Sequence, residues 1–414
     1  MKLTKGVSKM SETKTTKKRN VAIEFWRFFA AVAIVGFHTG WIIARSCDGS
    51  LGYFMNTSNW FFGSSETLLI FTLTAGYFMM AHHRKLSKNP EYNQRSATSR
   101  AWEYTWARVK SLIPVLILGY LIGTIVATPF YYPDYGVKEY LVMIVNSIWE
   151  FLGFHAAGLR NTNGNFFNTN GVLWFISAII IGGYFIYFGL CKDEDRTAGF
   201  IAPLGFIFLA GWWCFTGTRA AQTAWSTFGL QTASSNGMGG SATDATATLG
   251  FNNGFIFVLM GMLGGIILFQ LIDLAKKHEI SAGKKTFLTI VNILCSVLLA
   301  WFIIYQPTYF LLQRWTVGFL QLAVVGLTLY NQDALTAALN NDVTSGLLSK
   351  LGAVSLYIYM LHYPVAIGVL RVFGKNSAAT VYSFWQIYLP TIIVTIVLSF
   401  VVKKIMDSTI LKKK

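Results

Sequence analysis

Ionisable side chains lie inside a long apolar stretch of this sequence, residues 21–44. Arg27 and His38 are eleven residues apart, about three helical turns, so they share one face of a helix. Glu24 precedes Arg27 by one turn and can pair with it. A charged group at the centre of a membrane span costs about 2.5–3.5 kcal/mol or more. This row of ionisable residues on one helical face therefore predicts a catalytic site. A histidine there can act as a general base or as a nucleophile.

The same residues are also compatible with structural roles. Glu24 and Arg27 can instead anchor the helix at the lipid headgroups, and His38 can be a structural histidine. Glu66 lies one turn into the next apolar stretch, at a depth similar to that of His38. Because consecutive helices are usually neighbours, we expect Glu66 to orient the His38 ring and raise its basicity. Glu66 can alternatively stabilise the start of its own helix.

A second group of polar residues lies in the stretch 351–373. Ser355, Tyr359 and His362 are spaced to share one helical face. Pro364 cannot donate a backbone hydrogen bond and so opens the helix locally. These three residues are candidates for supporting the site, although buried histidines also serve packed polar networks. We expect no metal site, because no cysteine or histidine spacing matches a ligand motif.

The composition identifies the elements that must position these residues. Apolar residues make up 54% of the 414 and charged residues only 13%, whereas soluble domains carry about 25% charged residues. Ten apolar runs approach the 20 residues that a bilayer-spanning helix needs. We therefore predict an all-α, polytopic transmembrane helix bundle of about ten spans. The runs are 21–44, 62–82, 111–128, 172–190, 199–215, 251–274, 287–305, 314–331, 351–373 and 383–405.

The net charge of +16 comes from Lys and Arg that cluster between alternate apolar runs. This is the positive-inside pattern; it makes nucleic acid an unlikely partner and predicts that both termini are cytosolic. The predicted organisation is a basic tail (1–20), a transmembrane domain (21–405) and a cytosolic tail (406–414) of a multi-pass cell-membrane protein. Within the domain we expect an interfacial or re-entrant helix at 138–155 and an external loop at 216–250.

Five motifs in this order resemble the acyltransferase-3 family of integral-membrane acyltransferases. The first is the acid, arginine and histidine of the opening helix. Residues 71–77 (FTLTAGY) are similar to the family's Phe-Phe-x-x-Ser-Gly-Phe, with Ala75 in place of the serine. A basic run before Pro114 contains Arg108 and Lys110, with Ser111 at the position of the family's arginine. Residues 173–175 (LWF) and 355–364 (SLYIYMLHYP) match two later motifs.

The resemblance implies a fold spanning roughly residues 20–405 and an O-acyltransferase activity. The implied donor is cytosolic acyl-CoA, usually acetyl-CoA, which is a co-substrate and not a tightly bound cofactor. The implied acceptor is a hydroxyl of a carbohydrate or another cell-surface molecule. His38 would be the general base or a transient acyl carrier, and Arg27, Arg108 and Lys110 would bind acyl-CoA. The alternative function is a transporter that exports a polysaccharide or amphiphile without acyl chemistry. The chain can also form a homo-oligomer.

Overall fold

The computed structural model describes residues 20–47, 60–127, 129, 134–146, 170–216, 253–305, 311–373 and 381–409, and these are almost entirely helical. No β-strand occurs in these ranges; the one β-contact is an isolated bridge between Trp60 and Tyr305. The prediction of an all-α helix bundle is therefore confirmed. The helices are α1 (Ala22–Cys47), α2 (Leu68–Leu86), α3 (Pro90–Gln94), α4 (Ala97–Val126), α5 (Val137–Asn146), α6 (Trp174–Lys192), α7 (Ala202–Thr216), α8 (Asn253–Ala275), α9 (Ala282–Ile304), α10 (Leu311–Tyr330), α11 (Ala334–Leu339), α12 (Asp342–Phe373) and α13 (Val381–Thr409).

Seven of the described helices are long and apolar enough to cross a membrane, namely α1, α4, α6, α8, α9, α12 and α13. The remaining three predicted spans coincide with α2, α7 and α10, which are helical but shorter or less uniformly apolar. The chain is thus a polytopic membrane protein. The cytosolic location of its two ends stays a prediction.

Two expected segments between spans are only partly described. The predicted interfacial or re-entrant helix at 138–155 is described over α5, Val137–Asn146; residues 147–155 lie outside the described ranges. The interfacial or re-entrant placement of this segment stays a prediction. The predicted external loop, 216–250, lies almost wholly outside the described ranges.

Helices α1 and α12 form the centre of the bundle. In each of them 72% of the residues in the most apolar 18-residue segment are buried, compared with 22% in α9. The start of α1 is fixed by Asn340, whose side-chain oxygen accepts hydrogen bonds from the backbone N–H groups of Val21 (2.7 Å) and Ala22 (2.9 Å). This contact satisfies donors that a helix N-terminus leaves free. The two central helices are the ones that carry the predicted polar residues.

Glycines bring α2 and α8 into direct backbone contact. A Cβ atom on Gly76 would collide with the carbonyl group of Met262, and one on Gly265 would collide with the carbonyl oxygen of Leu73. Small residues at such crossings are typical of helices packed in a membrane. Gly76 belongs to the 71–77 motif, so this motif has a packing role.

Candidate active site

The imidazole rings of His38 and His362 are in direct contact between α1 and α12. Nδ1 of His38 lies 2.9 Å from Nε2 of His362. The ring centroids are 4.9 Å apart, and the ring of Tyr363 packs edge-on against His38 with centroids 5.7 Å apart. His362 is completely buried, whereas His38 is only partly buried. The pair therefore has one fully buried histidine and one that is partly exposed.

The hydrogen bonds assign the protons of this pair. Nδ1 of His362 lies 2.7 Å from the carbonyl oxygen of Tyr359 and 3.2 Å from that of Ile358. Carbonyl oxygens only accept, so this Nδ1 must carry the proton, and Nε2 of a neutral His362 has a free lone pair. Nδ1 of His38 then donates to that lone pair. The assignment leaves Nε2 of neutral His38 without a proton, which is the state that a base or nucleophile requires.

Two contacts hold α12 next to His362. The hydroxyl group of Tyr359 donates to the carbonyl oxygen of Val172 at 2.8 Å. The side-chain amide of Asn170 donates to the carbonyl oxygen of Met360 at 2.7 Å and to that of Gly119 on α4 at 3.3 Å. Pro364 has no N–H group to offer Met360, its partner four residues back. Asn170 supplies the missing donor and fixes the opened turn of α12.

Ser355 and Tyr359 are the other predicted members of the α12 face that carries His362. Ser355 is buried, and its hydroxyl group donates to the carbonyl oxygen of Leu351 in its own helix at 3.1 Å. It therefore acts in the packing of α12 and makes no described hydrogen bond to the two histidines. Tyr359 contributes through its hydroxyl bond to Val172 and through its carbonyl bond to His362.

The expected pairing of Glu66 with His38 is corrected by the structure. Nδ1 of His38 is occupied by His362, so Glu66 does not orient this nitrogen. Glu66 also lies before the second helix, because a short 3-10 helix (Phe62–Thr67) precedes α2. Its side chain is 5% exposed. In the tighter 3-10 geometry, side chains point in other directions than they would on the regular α-helix that was predicted here. A catalytic role of Glu66 stays a prediction.

Glu24 and Arg27 form the predicted ion pair. Nη1 of Arg27 lies 2.8 Å from Oε2 of Glu24, with 25% of the arginine side chain and 2% of the glutamate side chain exposed. Glu24 is too deeply buried to be an anchor at the headgroups. It packs against Gly352 of α12, where any Cβ atom would collide with its side chain. The pair thus belongs to the contact between α1 and α12, and Arg27 lies about 16 Å along the axis from His38.

The match to known families agrees with this arrangement. The model of the acyltransferase-3 family, described as an acyltransferase domain, matches residues 20–404. This chain belongs to the acyltransferase-3 family. The match covers both helices that hold the histidine pair. Comparisons with curated proteins and with solved structures gave no match.

The cations at the predicted cytosolic side of this acyltransferase fall into two groups. Arg84 is occupied, because its guanidinium group lies 2.8 Å from carboxylate oxygens of both Glu194 and Asp273. Arg100 donates to the carbonyl oxygen of Cys191 and lies over the ring of Tyr92. Burial raises the pKa of Tyr92 to about 12, so this phenol stays neutral. These cations serve structural contacts.

Arg108 and Lys110 differ from those cations, since neither forms an ion pair within the described ranges. The guanidinium group of Arg108 lies 4.3 Å over the ring of Tyr104, and its Nε is buried without a hydrogen-bond partner there. Lys110 lies exposed with its ammonium group 5.6 Å from the ring centre of Trp106. Their role in binding acyl-CoA stays a prediction. Within the described ranges no three His, Cys, Asp or Glu side chains lie close enough to hold a metal ion.

Asn170 is a site residue that the sequence did not reveal. A single asparagine gives no periodic signal, and it precedes the residues 173–175 that the motif singled out. One signal was nevertheless present, since Pro364 implies an unpaired carbonyl group at Met360. A buried acceptor of this kind must find a donor elsewhere.

Replacement of Asn170 by alanine should reduce kcat severalfold and lower the free energy of unfolding by about 1–3 kcal/mol, because the buried carbonyl group of Met360 loses its donor. The matched control is Asn292→Ala. Asn292 is also buried, and its amide donates to Asp333 (3.0 Å) away from the histidine pair. Thermal unfolding and steady-state kinetics check both variants. If Asn292→Ala lowers kcat as much as Asn170→Ala does, Asn170 has no specific effect on the site.

Proposed function

We propose that this membrane acyltransferase moves an acetyl group from acetyl-CoA to a hydroxyl group of a carbohydrate at the cell surface. The observation that supports this proposal best is the contact between His38 and His362. With the proton assignment above, this contact leaves Nε2 of His38 unprotonated, and the His38 side chain is partly exposed. Transfer from a thioester to a hydroxyl group needs such a base, since an alcohol is a weak nucleophile until its proton is removed.

The chemistry follows from this arrangement. Nε2 of His38 accepts the proton of the acceptor hydroxyl group while its oxygen attacks the thioester carbonyl carbon. A C–O bond forms, the C–S bond breaks, and the departing sulfur of CoA takes the proton from His38. His362 accepts the hydrogen bond from Nδ1 throughout and stabilises the imidazolium form of His38. The products are an O-acetyl ester and free CoA.

The same geometry supports an acyl-carrier route. In that route Nε2 of His38 attacks the thioester carbonyl carbon, a C–N bond forms, the C–S bond breaks and CoA leaves as the thiolate. The acceptor oxygen then attacks the acetyl carbon, the C–N bond breaks, and the hydroxyl proton passes to the thiolate. Arg27, which is paired with Glu24, lies on the same helix as His38 toward the predicted cytosolic end. Arg108 and Lys110 supply positive charge that is not paired with a carboxylate in the described ranges. These cations suit the phosphate groups of CoA, arginine through bidentate contacts and lysine as a point charge.

Cell-envelope glycans compared with and without the gene test the proposed acceptor class. We expect mass spectrometry to find glycan species that are heavier by whole acetyl groups only when the gene is present. The amount of exported glycan should be unchanged. Loss of export with unchanged acetylation would contradict the proposal and favour the transporter. Acetyl groups found on protein or lipid would contradict the carbohydrate acceptor and leave the acetyl transfer itself standing.

A further inference from the structure

A groove of about 640 Å³ lies between α12 and α13, at the ends of these helices that the charge distribution predicts to be cytosolic. Ser349 and Lys350 line it from the first half of α12. Lys403, Lys404 and Ser408 line it from the last turns of α13. The histidine pair lies elsewhere, because His362 is more than two turns further along α12 than the residues that line the groove. The groove is therefore a separate feature of the molecule.

The charge of this groove is positive. It contains three lysines and one acidic residue, Asp407. Asp407 is paired with Lys403, whose ammonium nitrogen lies 2.5 Å from a carboxylate oxygen. Lys350 and Lys404 are exposed and form no ion pair in the described part of the chain. Two positive charges and the hydroxyl group of Ser349 therefore line the groove, a combination suited to a phosphate group. The hydroxyl group of Ser408 donates to the carbonyl oxygen of Ile405.

The inner end of the groove is apolar. Phe400 and Ala353 line it there. Beyond Phe400, the surface of α13 continues toward the membrane interior with Ile393 and Val397, which are 60% and 58% exposed. A ligand that follows this surface must be anionic at one end and hydrocarbon at the other. A nucleotide has no hydrocarbon chain that could continue along Ile393 and Val397.

We propose that the groove between α12 and α13 binds one anionic phospholipid of the cytosolic leaflet. Its phosphate group lies between Lys350 and Lys404, and its acyl chains run along Phe400 and the exposed apolar face of α13. Basic pockets between membrane helices on the cytosolic side bind anionic headgroups in this way. The bound lipid bridges α12 and α13 and so stabilises the helix that carries His362. This proposal does not depend on the acyl acceptor.

Native mass spectrometry of the purified protein with phosphatidylglycerol or phosphatidylcholine tests this site. We expect the wild type to retain phosphatidylglycerol selectively. The double variant Lys350→Gln, Lys404→Gln should bind it roughly tenfold or more weakly, because each lysine near a headgroup contributes to the attraction. Phosphatidylglycerol should also raise the melting temperature of the wild type and not that of this variant.

The matched control is Lys284→Gln, Lys285→Gln, which removes two exposed lysines from the start of α9 at the same predicted side of the membrane. It should keep the affinity of the wild type. Equal weakening in both double variants would show a general surface attraction and overturn the proposal. Displacement of the lipid by coenzyme A, added as a soluble competitor, would show a nucleotide site instead and would also overturn it.

Discussion

Purified protein with His38 replaced by alanine should transfer acetyl groups from acetyl-CoA at least about a hundredfold more slowly than the wild type. General acid–base catalysis contributes about 10²–10⁴-fold, and this change removes the ring whose Nε2 is assigned as unprotonated. The loss should appear in kcat, because the proposed mechanism places His38 at the reacting atoms and not at the distant CoA phosphates. Release of free CoA in proteoliposomes that contain the acceptor measures the rate.

The control for this variant is His278→Ala, which removes an exposed histidine that follows α8. It should retain the activity of the wild type. Both proteins should unfold at similar temperatures, so that a loss of fold is not mistaken for a loss of chemistry. Full activity in a folded His38→Ala protein would show that this ring is neither the base nor the acyl carrier.

Replacement of His362 by phenylalanine should lower kcat by about ten- to a hundredfold with little change in KM for acetyl-CoA. The phenyl ring preserves the apolar volume but cannot accept the hydrogen bond from Nδ1 of His38. A buried donor without an acceptor costs about 1–3 kcal/mol, and about 1.4 kcal/mol corresponds to a factor of ten in rate. Without this acceptor, the His38 ring would rotate, or its proton would move from Nδ1 to Nε2. Either change removes the oriented, unprotonated Nε2 that acts as the base.

The variant His362→Gln separates this positioning role from a purely structural one. The side-chain oxygen of glutamine can accept the bond from His38, so His362→Gln should recover part of the activity that His362→Phe loses. A structural role predicts the reverse order, since phenylalanine fills the buried site better than glutamine does. Equal kcat in the two variants and the wild type would contradict the positioning role.

The helices of this protein could be predicted from sequence because bilayer spans must satisfy all of their backbone hydrogen bonds internally. Every predicted apolar run coincides with a helix, including the short runs that became α7 and α10. The start of α2 could not be predicted, because apolar content does not distinguish a 3-10 turn from an α-helix. That 3-10 turn, Phe62–Thr67, contains Glu66. The depth of Glu66 in the membrane had been inferred from a regular α-helix that begins near Phe62.

The members of the site were easier to predict than their contacts. His38 and His362 were each recognised as ionisable groups in an apolar span, yet they are 324 residues apart in the chain. Their contact could not be predicted, since the crossing of α1 over α12 is not encoded in either helix alone. Arg84 is neutralised by Glu194 and Asp273, which come from distant segments, so its sequence neighbours do not reveal its role. Tertiary packing decides such pairings.

The proposed mechanism rests on the protonation state of one pair of rings, which nuclear magnetic resonance of the purified protein with nitrogen-15-labelled histidine measures directly. His38→Ala and His362→Phe assign the signals. At neutral pH we predict protons on Nδ1 of both rings, a bare Nε2 on His38 and a coupling across the bond between Nδ1 of His38 and Nε2 of His362. A proton on Nε2 of neutral His38, with no coupling between the rings, would contradict this mechanism.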